Sequence, residues 1–273
     1  MREALTLNSP GLFITGTDTG VGKTVATCAI AAALHRQRPG LRLGACKPFA
    51  SGCRRTPEGA LVNEDVEALA SFVGRPLESS LINPVAFEAP LAPAVAAEQE
   101  RRAVDWSAVR RSLEELDRQS DAVLIEGVGG LMVPLDPAEP RWMVAELARW
   151  IGYPVLVVCR PTLGTLNHTL MTVKLLRQAG CRVAGLLMNG QSVDEEQDDP
   201  SSQSNRQWLE RLTGLSVLAT LPRGGQVQPQ WGILDKALVD TAAAVDWMGV
   251  LDAAQPAMPG RVEAAAGAVV DQV

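Results

Sequence analysis

Short apolar segments alternate along this chain with longer segments of helical character. The short segments are apolar at almost every position rather than at every second one, which is typical of strands buried on both faces of a parallel sheet. Strands are predicted at Leu12–Thr15, Leu41–Ala45, Ala122–Ile125, Pro154–Cys159, Val183–Met188 and Val217–Leu221. Helices are predicted near residues 25–36, 65–73, 105–119, 141–150, 165–179 and 204–213. Because parallel strands need right-handed crossovers, this order predicts an α/β fold: a doubly wound, mostly parallel sheet that binds ligands at the carboxyl ends of its strands.

Two segments lack this alternation. Residues Gln191–Ser204 are polar, acidic and rich in Ser and Gln, which predicts a surface loop. From Gln255 onward the chain is rich in Pro and Ala, and we expect a frayed tail or a helix on the surface. The length of 273 residues fits one α/β domain. We therefore expect a single domain over residues 1–254 and a tail over residues 255–273.

The charge and composition argue against several kinds of partner. The net charge is −6, whereas a nucleic-acid partner requires clustered Lys and Arg. The sequence shows neither a signal peptide nor a run of about 18 apolar residues, which argues against a membrane span. The five cysteines are scattered and none forms a Cys-x-x-Cys pair, which is typical of a reducing compartment. We expect a cytoplasmic protein that binds neither nucleic acid nor membrane.

A glycine-rich loop, Thr17–Thr24, joins the first predicted strand to the first predicted helix. In this context, backbone N–H groups and the helix N-terminus can bind a polyphosphate. Lys23 would reach the β- and γ-phosphates, and the Thr24 hydroxyl would bind Mg²⁺. The strict pattern G-x-x-x-x-G-K-[ST] requires its first glycine at position 17, but the chain has it one residue earlier, at Gly16. This departure points to a subset of nucleotide-binding loops with their own geometry, and the alternative is a turn that only joins strand to helix.

Charged residues also follow the second and third predicted strands. Lys47 can stabilise charge on a transferring phosphoryl group, or it can extend into solvent. Glu126 ends an apolar strand, and the glycines of Gly127–Gly130 would let the backbone approach a ligand. Asp65, in the first turn of a predicted helix, can bind a metal or only complement the helix dipole. Mg²⁺ prefers few carboxylates together with phosphate oxygens and water, which Glu126 and Asp65 could provide beside Thr24.

Arg160–Thr169 leads from the fourth strand into a helix, and Asn189 follows the fifth. The first-turn N–H groups of that helix could hold a carboxylate. His168 stands without a second candidate ligand nearby, which favours a structural role over a catalytic one. Because all these groups follow strand ends, the sequence predicts one active site at the carboxyl edge of the sheet.

Four motifs in order carry a family resemblance: Thr15–Thr24, Lys47–Gly52, Glu126–Leu135 and Leu163–Thr169. With them, the chain resembles the dethiobiotin synthetase family over about Leu12–Pro222. The resemblance implies a fold of the P-loop NTPase type and a homodimeric ATP-dependent ligase that closes the ureido ring of dethiobiotin. It implies 7,8-diaminononanoate, CO₂ (or bicarbonate) and ATP as substrates, with Mg²⁺ as cofactor. A carbamate and a carbamic–phosphoric anhydride would be the intermediates, and ADP and phosphate would be released.

The resemblance also implies roles for individual residues. The residues implied in catalysis are Lys23, Lys47 and Thr19. The residues implied to hold Mg²⁺ are Thr24, Asp65 and Glu126. The residues implied to bind the nucleotide are Asp18, Gly20, Val21, Gly22, Lys23, Thr24, Asn189 and Pro222, with Asn189 on the adenine edge. The residues implied to bind the diamine are Ser51, Gly129, Gly164 and Asn167, the last two on the carboxylate of the substrate in the partner subunit.

One region departs from the family pattern, and three other interpretations compete. After Pro222, Arg223–Gln226 lacks the acidic residue expected to help read the base. A ParA/MinD-like ATPase would carry an extra lysine early in the loop, where this chain has Asp18, and often a basic surface. A cobyrinic acid a,c-diamide synthase would need an added glutaminase domain, for which 273 residues leave no room. A binding-only module would not need Lys47 and the Gly164–Asn167 turn at the same sheet edge.

Overall fold

The computed structural model describes residues 5–191, 199–224 and 227–252. The expected tail over residues 255–273 and residues 192–198 of the expected loop lie outside the described residues. The strands are β1 Gly11–Gly16, β2 Leu43–Cys46, β3 Phe49–Ala50, β4 Arg54–Arg55, β5 Leu61–Val62, β6 Val85–Ala86, β7 Ala122–Glu126, β8 Val155–Cys159, β9 Val183–Gln191, β10 Val217–Pro222, β11 Val227–Gln228 and β12 Ile233–Leu234. The α-helices are α1 Lys23–Gln37, α2 Glu64–Phe72, α3 Ser79–Ile82, α4 Pro93–Gln99, α5 Trp106–Gln119, α6 Val144–Ile151, α7 Thr165–Gln178, α8 Ser202–Thr213, α9 Lys236–Ala243 and α10 Trp247–Asp252.

The main sheet has six strands in the order β10-β9-β8-β1-β7-β2, and every neighbouring pair is parallel. All six predicted strands and all six predicted helices are present, so the predicted α/β class is confirmed. The chain runs from β1 to the edge strand β2, returns to β7 and then crosses to β8. The carboxyl ends of β1, β7 and β8 are therefore neighbours at the point where the winding reverses, which is where ligands bind in such sheets.

Helices cover both faces of the sheet because alternate strand residues point to opposite sides. On one face, Phe13 and Val157 pack with helices α5 to α8. On the other face, Ile14 and Leu156 pack with α1, α9 and α10, and Trp247 is fully buried there. Burial on both sides explains why these strands read as continuous apolar runs in the sequence.

A third apolar cluster lies where the segment that connects β2 to β7, including α2, packs against the main sheet. It includes Ala45 of β2, Leu69 of α2 and Ile82 of α3. Packing on this cluster fixes α2, and with it Asp65, beside the end of β2. The short helices α3, α4, α9 and α10 and the short strand pairs were not predicted, because elements this short carry too few apolar repeats to be recognised. Among the residues that the structure describes, no helix combines the length and apolarity needed to cross a bilayer.

Candidate active site

The glycine-rich loop Thr17–Thr24, which we call the phosphate loop, is shaped by two glycines with left-handed backbone conformations. Gly20 has φ +71° and Gly22, the N-cap of α1, has φ +87°. A Cβ atom on Gly22 would lie 1.9 Å from Nδ2 of Asn189, so a larger residue would displace that carboxamide. The loop is tied to the sheet where the N–H of Thr17 donates to the carbonyl of Val158 at 3.0 Å.

Side-chain donors hold three carbonyl groups of this loop. Nζ of Lys23 donates to the carbonyl of Asp18 at 3.0 Å. A guanidinium nitrogen of Arg160, at the end of β8, donates to the carbonyl of Gly20 at 3.1 Å. The Asn189 carboxamide donates to the carbonyl of Val21 at 3.0 Å. No local sequence pattern predicted the Arg160 contact, since that residue is distant from the loop along the chain.

Beside the loop, four side chains from four different elements meet. The Thr24 hydroxyl lies 2.8 Å from Oδ1 of Asp65 and 2.9 Å from Oε1 of Glu126. Nζ of Lys47 donates to Oδ2 of Asp65 and to Oε1 of Glu126, both at 2.6 Å. The second carboxylate oxygen of Glu126 lies 3.1 Å from the hydroxyl of Thr27, one helical turn after Lys23. The structure therefore brings the predicted metal ligands and Lys47 together, and it adds Thr27.

The two lysines differ in electrostatic environment. Burial opposes the charge of Lys47, but the carboxylates of Glu126 and Asp65 outweigh it and raise the Lys47 pKa well above its ordinary value. Burial lowers the pKa of Lys23, and the carboxylates offset this only in part. Burial would raise the pKa of Asp65, but Lys47 and the hydrogen bond from Thr24 lower it. Lys47 and Asp65 thus stay oppositely charged at neutral pH.

These residues line a cavity of about 570 Å³, which we call the lysine–acid cavity. The predicted site residues in its lining are Thr19, Gly20, Gly22, Lys23, Thr24, Lys47, Ser51, Asp65, Glu126 and Gly129. One wall, formed by Val227, Pro229 and Gln230, was not predicted. That wall packs on α2, where the Ser71 hydroxyl donates to the Gln230 carbonyl at 3.2 Å.

A second cavity of about 390 Å³ lies on the other side of the loop. It is lined by Gly20, Val21, Arg160, Pro161, Thr162, Asn189, Gly190 and Arg223. Of the residues expected at the nucleotide, Gly20, Val21 and Asn189 line this cavity, and Pro222 ends β10 immediately before Arg223. Asp18 lies in the phosphate loop, where its carboxylate accepts the N–H of Thr19 at 2.7 Å.

Gly164 and Asn167 lie at the start of α7. Gly164 is the N-cap of this helix, with φ +92°, and both residues are exposed. Asn167 lines a groove of about 560 Å³ between α7 and α8 rather than the lysine–acid cavity. The turn is held from α8, where the Asn205 carboxamide donates to the carbonyl of Pro161 at 2.6 Å. Within one chain, the predicted carboxylate-binding turn is thus separate from the residues around Lys47.

The donor set around Thr24 fits a magnesium ion. A hydroxyl oxygen and one oxygen from each of Asp65 and Glu126 meet within hydrogen-bonding distance, and Mg²⁺ takes oxygen ligands with few carboxylates. Residues 5–191, 199–224 and 227–252 contain no cluster of three or more His, Cys, Asp or Glu that could hold a metal ion, so the candidate magnesium site has two carboxylates and a hydroxyl.

Solved structures with a similar fold include MinD cell-division proteins. The MinC:MinD complex of Aquifex aeolicus matches with a TM-score of 0.56 at 15% identity, covering 88% of this chain and 96% of that one. MinD from Pyrococcus horikoshii OT3, complexed with Mg-ADP, matches with a TM-score of 0.52 at 17% identity, covering 89% and 99%. Identity this low shows a shared P-loop NTPase fold and nothing more.

Sequence relatives are closer. A family model described as an AAA domain matches residues 10–230. The ATP-dependent dethiobiotin synthetase BioD of Anaeromyxobacter dehalogenans is 44% identical over 214 residues, covering 78% of this chain and 89% of the relative. Proteins of the same name from Thermodesulfovibrio yellowstonii (39% identity; 78% and 88% covered) and Bacillus subtilis (35%; 78% and 87%) also match. The phosphate loop and the lysine–acid cavity both lie within the residues that the family model matches. With relatives this similar over most of its length, the chain belongs to the ATP-dependent dethiobiotin synthetase family of ligases.

Proposed function

We propose that this protein is a magnesium-dependent dethiobiotin synthetase that closes the ureido ring from 7,8-diaminononanoate and CO₂ with conversion of ATP to ADP and phosphate. The observation that carries the proposal is the meeting of Lys23, Lys47, Asp65 and Glu126 in one cavity beside the phosphate loop. Two cations and two carboxylates in one cavity suit a reaction in which negative charge builds up and a metal–phosphate complex must be held. The names of the relatives supply the product, dethiobiotin, and the dependence on ATP.

The reaction has three steps. One amine adds to CO₂ and loses a proton, forming a carbamate. A carbamate oxygen attacks the γ-phosphorus and displaces ADP, forming a carbamic–phosphoric anhydride. The second amine then attacks the carbonyl carbon, loses a proton and expels phosphate, which closes the ring. No enzyme nucleophile is needed, so the protein contributes positioning and charge stabilisation.

In this proposal the phosphate loop and Lys23 bind the nucleotide phosphates. The N–H groups at the start of α1 and the ammonium of Lys23 provide donors for the β- and γ-phosphate oxygens. Thr24, Asp65 and Glu126 would hold Mg²⁺, whose charge neutralises those oxygens. Asn189 and Pro222 would bind the base.

Lys47 would stabilise the carbamate and the transferring phosphoryl group. An ammonium group has three N–H donors, and the carboxylates of Asp65 and Glu126 accept two of them. Among the contacts of the described residues the third has no acceptor, and it would meet a substrate oxygen. The same carboxylates keep Lys47 protonated, so its positive charge is present throughout the neutral pH range.

The remaining residues would position the diamine. Thr19, Ser51 and Gly129 line the lysine–acid cavity, where the amines and the carbamate would lie. Gly164 and Asn167 would hold the carboxylate of the substrate bound to the partner subunit, using the N–H groups that begin α7.

A cytoplasmic homodimer completes the proposal. Two apolar side chains near the Gly164–Asn167 turn support an interface there, because Leu163 is 82% exposed and Met171 55%. Residues 1–254 would form the catalytic domain and residues 255–273 a tail.

A switch ATPase of the ParA/MinD kind is the competing function, given the shared fold. Asp18 stands where those proteins carry their additional lysine, and the net charge of −6 argues against a basic binding surface. These features favour the synthetase.

The proposal is tested by incubating the purified full chain with the diamine, bicarbonate, ATP and Mg²⁺. We expect dethiobiotin by mass spectrometry, with one ADP formed per dethiobiotin and little ADP when the diamine is omitted. ADP formation that does not depend on the diamine, without dethiobiotin, would favour the switch ATPase instead.

A further inference from the structure

Two successive peptide groups of the phosphate loop are held from the same side of the sheet. The Gly20 carbonyl accepts a hydrogen bond from Arg160 at 3.1 Å, and the Val21 carbonyl accepts one from Asn189 at 3.0 Å. Arg160 follows β8 and Asn189 lies in β9, so both donors approach from the β8–β9 side of β1.

The orientation of a carbonyl fixes the N–H group of the same peptide. In a trans peptide the C=O and the following N–H point in opposite directions, and the described residues contain no cis peptide. With the carbonyls of Gly20 and Val21 held toward Arg160 and Asn189, the N–H groups of Val21 and Gly22 point away from them. In the sheet, β7 and β2 lie on the opposite side of β1 from β8 and β9; Glu126 ends β7, and Lys47 follows β2.

These two hydrogen bonds restrict the conformation of the loop, which its glycines alone would leave flexible. Gly20 and Gly22 have positive φ angles, and glycine occupies many other conformations at similar energy. A flexible loop would lose conformational entropy when it closes on phosphate, and a loop already fixed would not. The bond from Arg160 is also charge-assisted, and it polarises the peptide whose N–H would meet the phosphate.

We infer that Arg160 and Asn189 form a clamp that pre-orients the Val21 and Gly22 amides for phosphate, which makes Arg160 a positioning residue of the nucleotide site. Arg160 acts through the Gly20 carbonyl, and Asn189 acts on the loop in addition to its proposed contact with the base. The inference concerns nucleotide binding alone, so its failure leaves the proposed ring closure untouched.

The test compares two probes, MgADP and inorganic tripolyphosphate, by calorimetric titration of the full chain. Arg160→Met keeps an unbranched aliphatic stem but removes the guanidinium donor, and Arg160→Lys restores a cationic donor. We expect Arg160→Met to raise the Kd of both probes by about tenfold, the loss typical of one hydrogen bond to a charged group, and Arg160→Lys to recover part of it. Arg118→Met is the matched control, because Arg118 is an exposed arginine paired with Glu115 on α5.

A second variant separates a clamp from a direct contact with the nucleotide. Asn189→Leu removes the donor to the Val21 carbonyl without changing the charge near the phosphates, so a loss of tripolyphosphate affinity would not reflect a lost cation. We expect both probes to weaken in Asn189→Leu while the melting temperature stays within a few degrees of the parent. The clamp would be overturned if both Arg160→Met and Asn189→Leu bound tripolyphosphate as tightly as the parent. This holds whether or not the variants bind MgADP more weakly.

Discussion

At the scale of single residues, the buried and charged state of Lys47 is the strongest indication of the reaction that the site supports. It is 5% exposed, yet two carboxylates keep it charged, and a buried charge is retained only when it is paired. The sequence placed Lys47 at the ligand edge but did not predict that it pairs with both proposed metal ligands. That pairing holds Asp65 and Glu126 together beside Thr24.

Replacing Lys47 by Ala should lower kcat by about 10²–10³, the range for loss of one preorganised charge stabiliser. Nucleotide affinity should change little, because Lys23 and the loop amides remain. Steady-state kinetics and MgADP titration on one preparation measure both quantities. The variant also leaves Glu126 buried without its ammonium partner, so kinetics should be run well below its melting temperature.

Lys236→Ala is the control for this prediction, because Lys236 is exposed and pairs only with Asp240 on α9 among the contacts described. Normal turnover in Lys47→Ala would mean that the carbamate does not bind beside Lys47.

At the scale of elements, the position of the candidate active site is set by the carboxyl ends of the strands and the turns that follow them. The strands were predicted because burial on both faces makes them apolar throughout, and their carboxyl ends then had to share one edge. The loop conformation is a separate requirement. It depends on Gly22, which has no room for a side chain beside Asn189.

Gly22→Ala should lower MgADP affinity by about tenfold or more, because the added Cβ displaces the Asn189 carboxamide and the left-handed backbone costs about 1–2 kcal/mol. Gly40→Ala is the matched control. Gly40 has a similar φ of +85° but nothing within 4 Å of an added Cβ, so it should lose stability without losing nucleotide affinity. Equal MgADP affinity in the two variants would show that the loop tolerates a side chain.

The pair Arg42–Asp121 joins the starts of β2 and β7, and it predicts a dependence of stability on pH. Bonds from the Arg42 guanidinium and backbone N–H lower the pKa of Asp121 to about 2, below its unfolded value of about 3.9. A lowered folded pKa stabilises the fold above the unfolded value, and that stabilisation is lost as the pH falls through the folded value.

Asp121→Asn should therefore lower the free energy of unfolding by roughly 0.5–1 kcal/mol at neutral pH, a small loss because both side chains are partly exposed. The difference from the parent should shrink as the pH falls from about 4 toward about 2. Urea denaturation at several pH values measures it. A difference that grows in acid would contradict the assignment.

At the scale of the whole molecule, the fold and most of the candidate site could be predicted from the sequence. The topology alone brings together four site residues that follow predicted strands or lie at the start of predicted helices: Lys23, Thr24, Asp65 and Glu126. The wall at Val227–Gln230 and the contact of Arg160 with the loop could not be predicted. Those contacts join residues distant in sequence, and no local pattern marks them.

The chain should sediment as a dimer, and Leu163→Asp should shift it toward monomer, because a charge would replace an apolar side chain that is 82% exposed beside Gly164. If the Gly164–Asn167 turn serves the partner's substrate, this variant should raise KM for the diamine and leave KM for ATP nearly unchanged. Analytical ultracentrifugation and kinetics measure the two effects. A fully active monomer would contradict the arrangement across subunits.

The central claim is that a carbamate takes up the γ-phosphoryl group in the lysine–acid cavity, and oxygen labelling tests it most directly. The full chain would be mixed with the diamine, MgATP and ¹⁸O-labelled CO₂ in ordinary water and quenched before the label exchanges with the solvent. One labelled oxygen should appear in the released phosphate and one in the ureido carbonyl, since the carbamate oxygen that attacks phosphorus leaves with the phosphate. Unlabelled phosphate released together with dethiobiotin would contradict phosphoryl transfer to a carbamate.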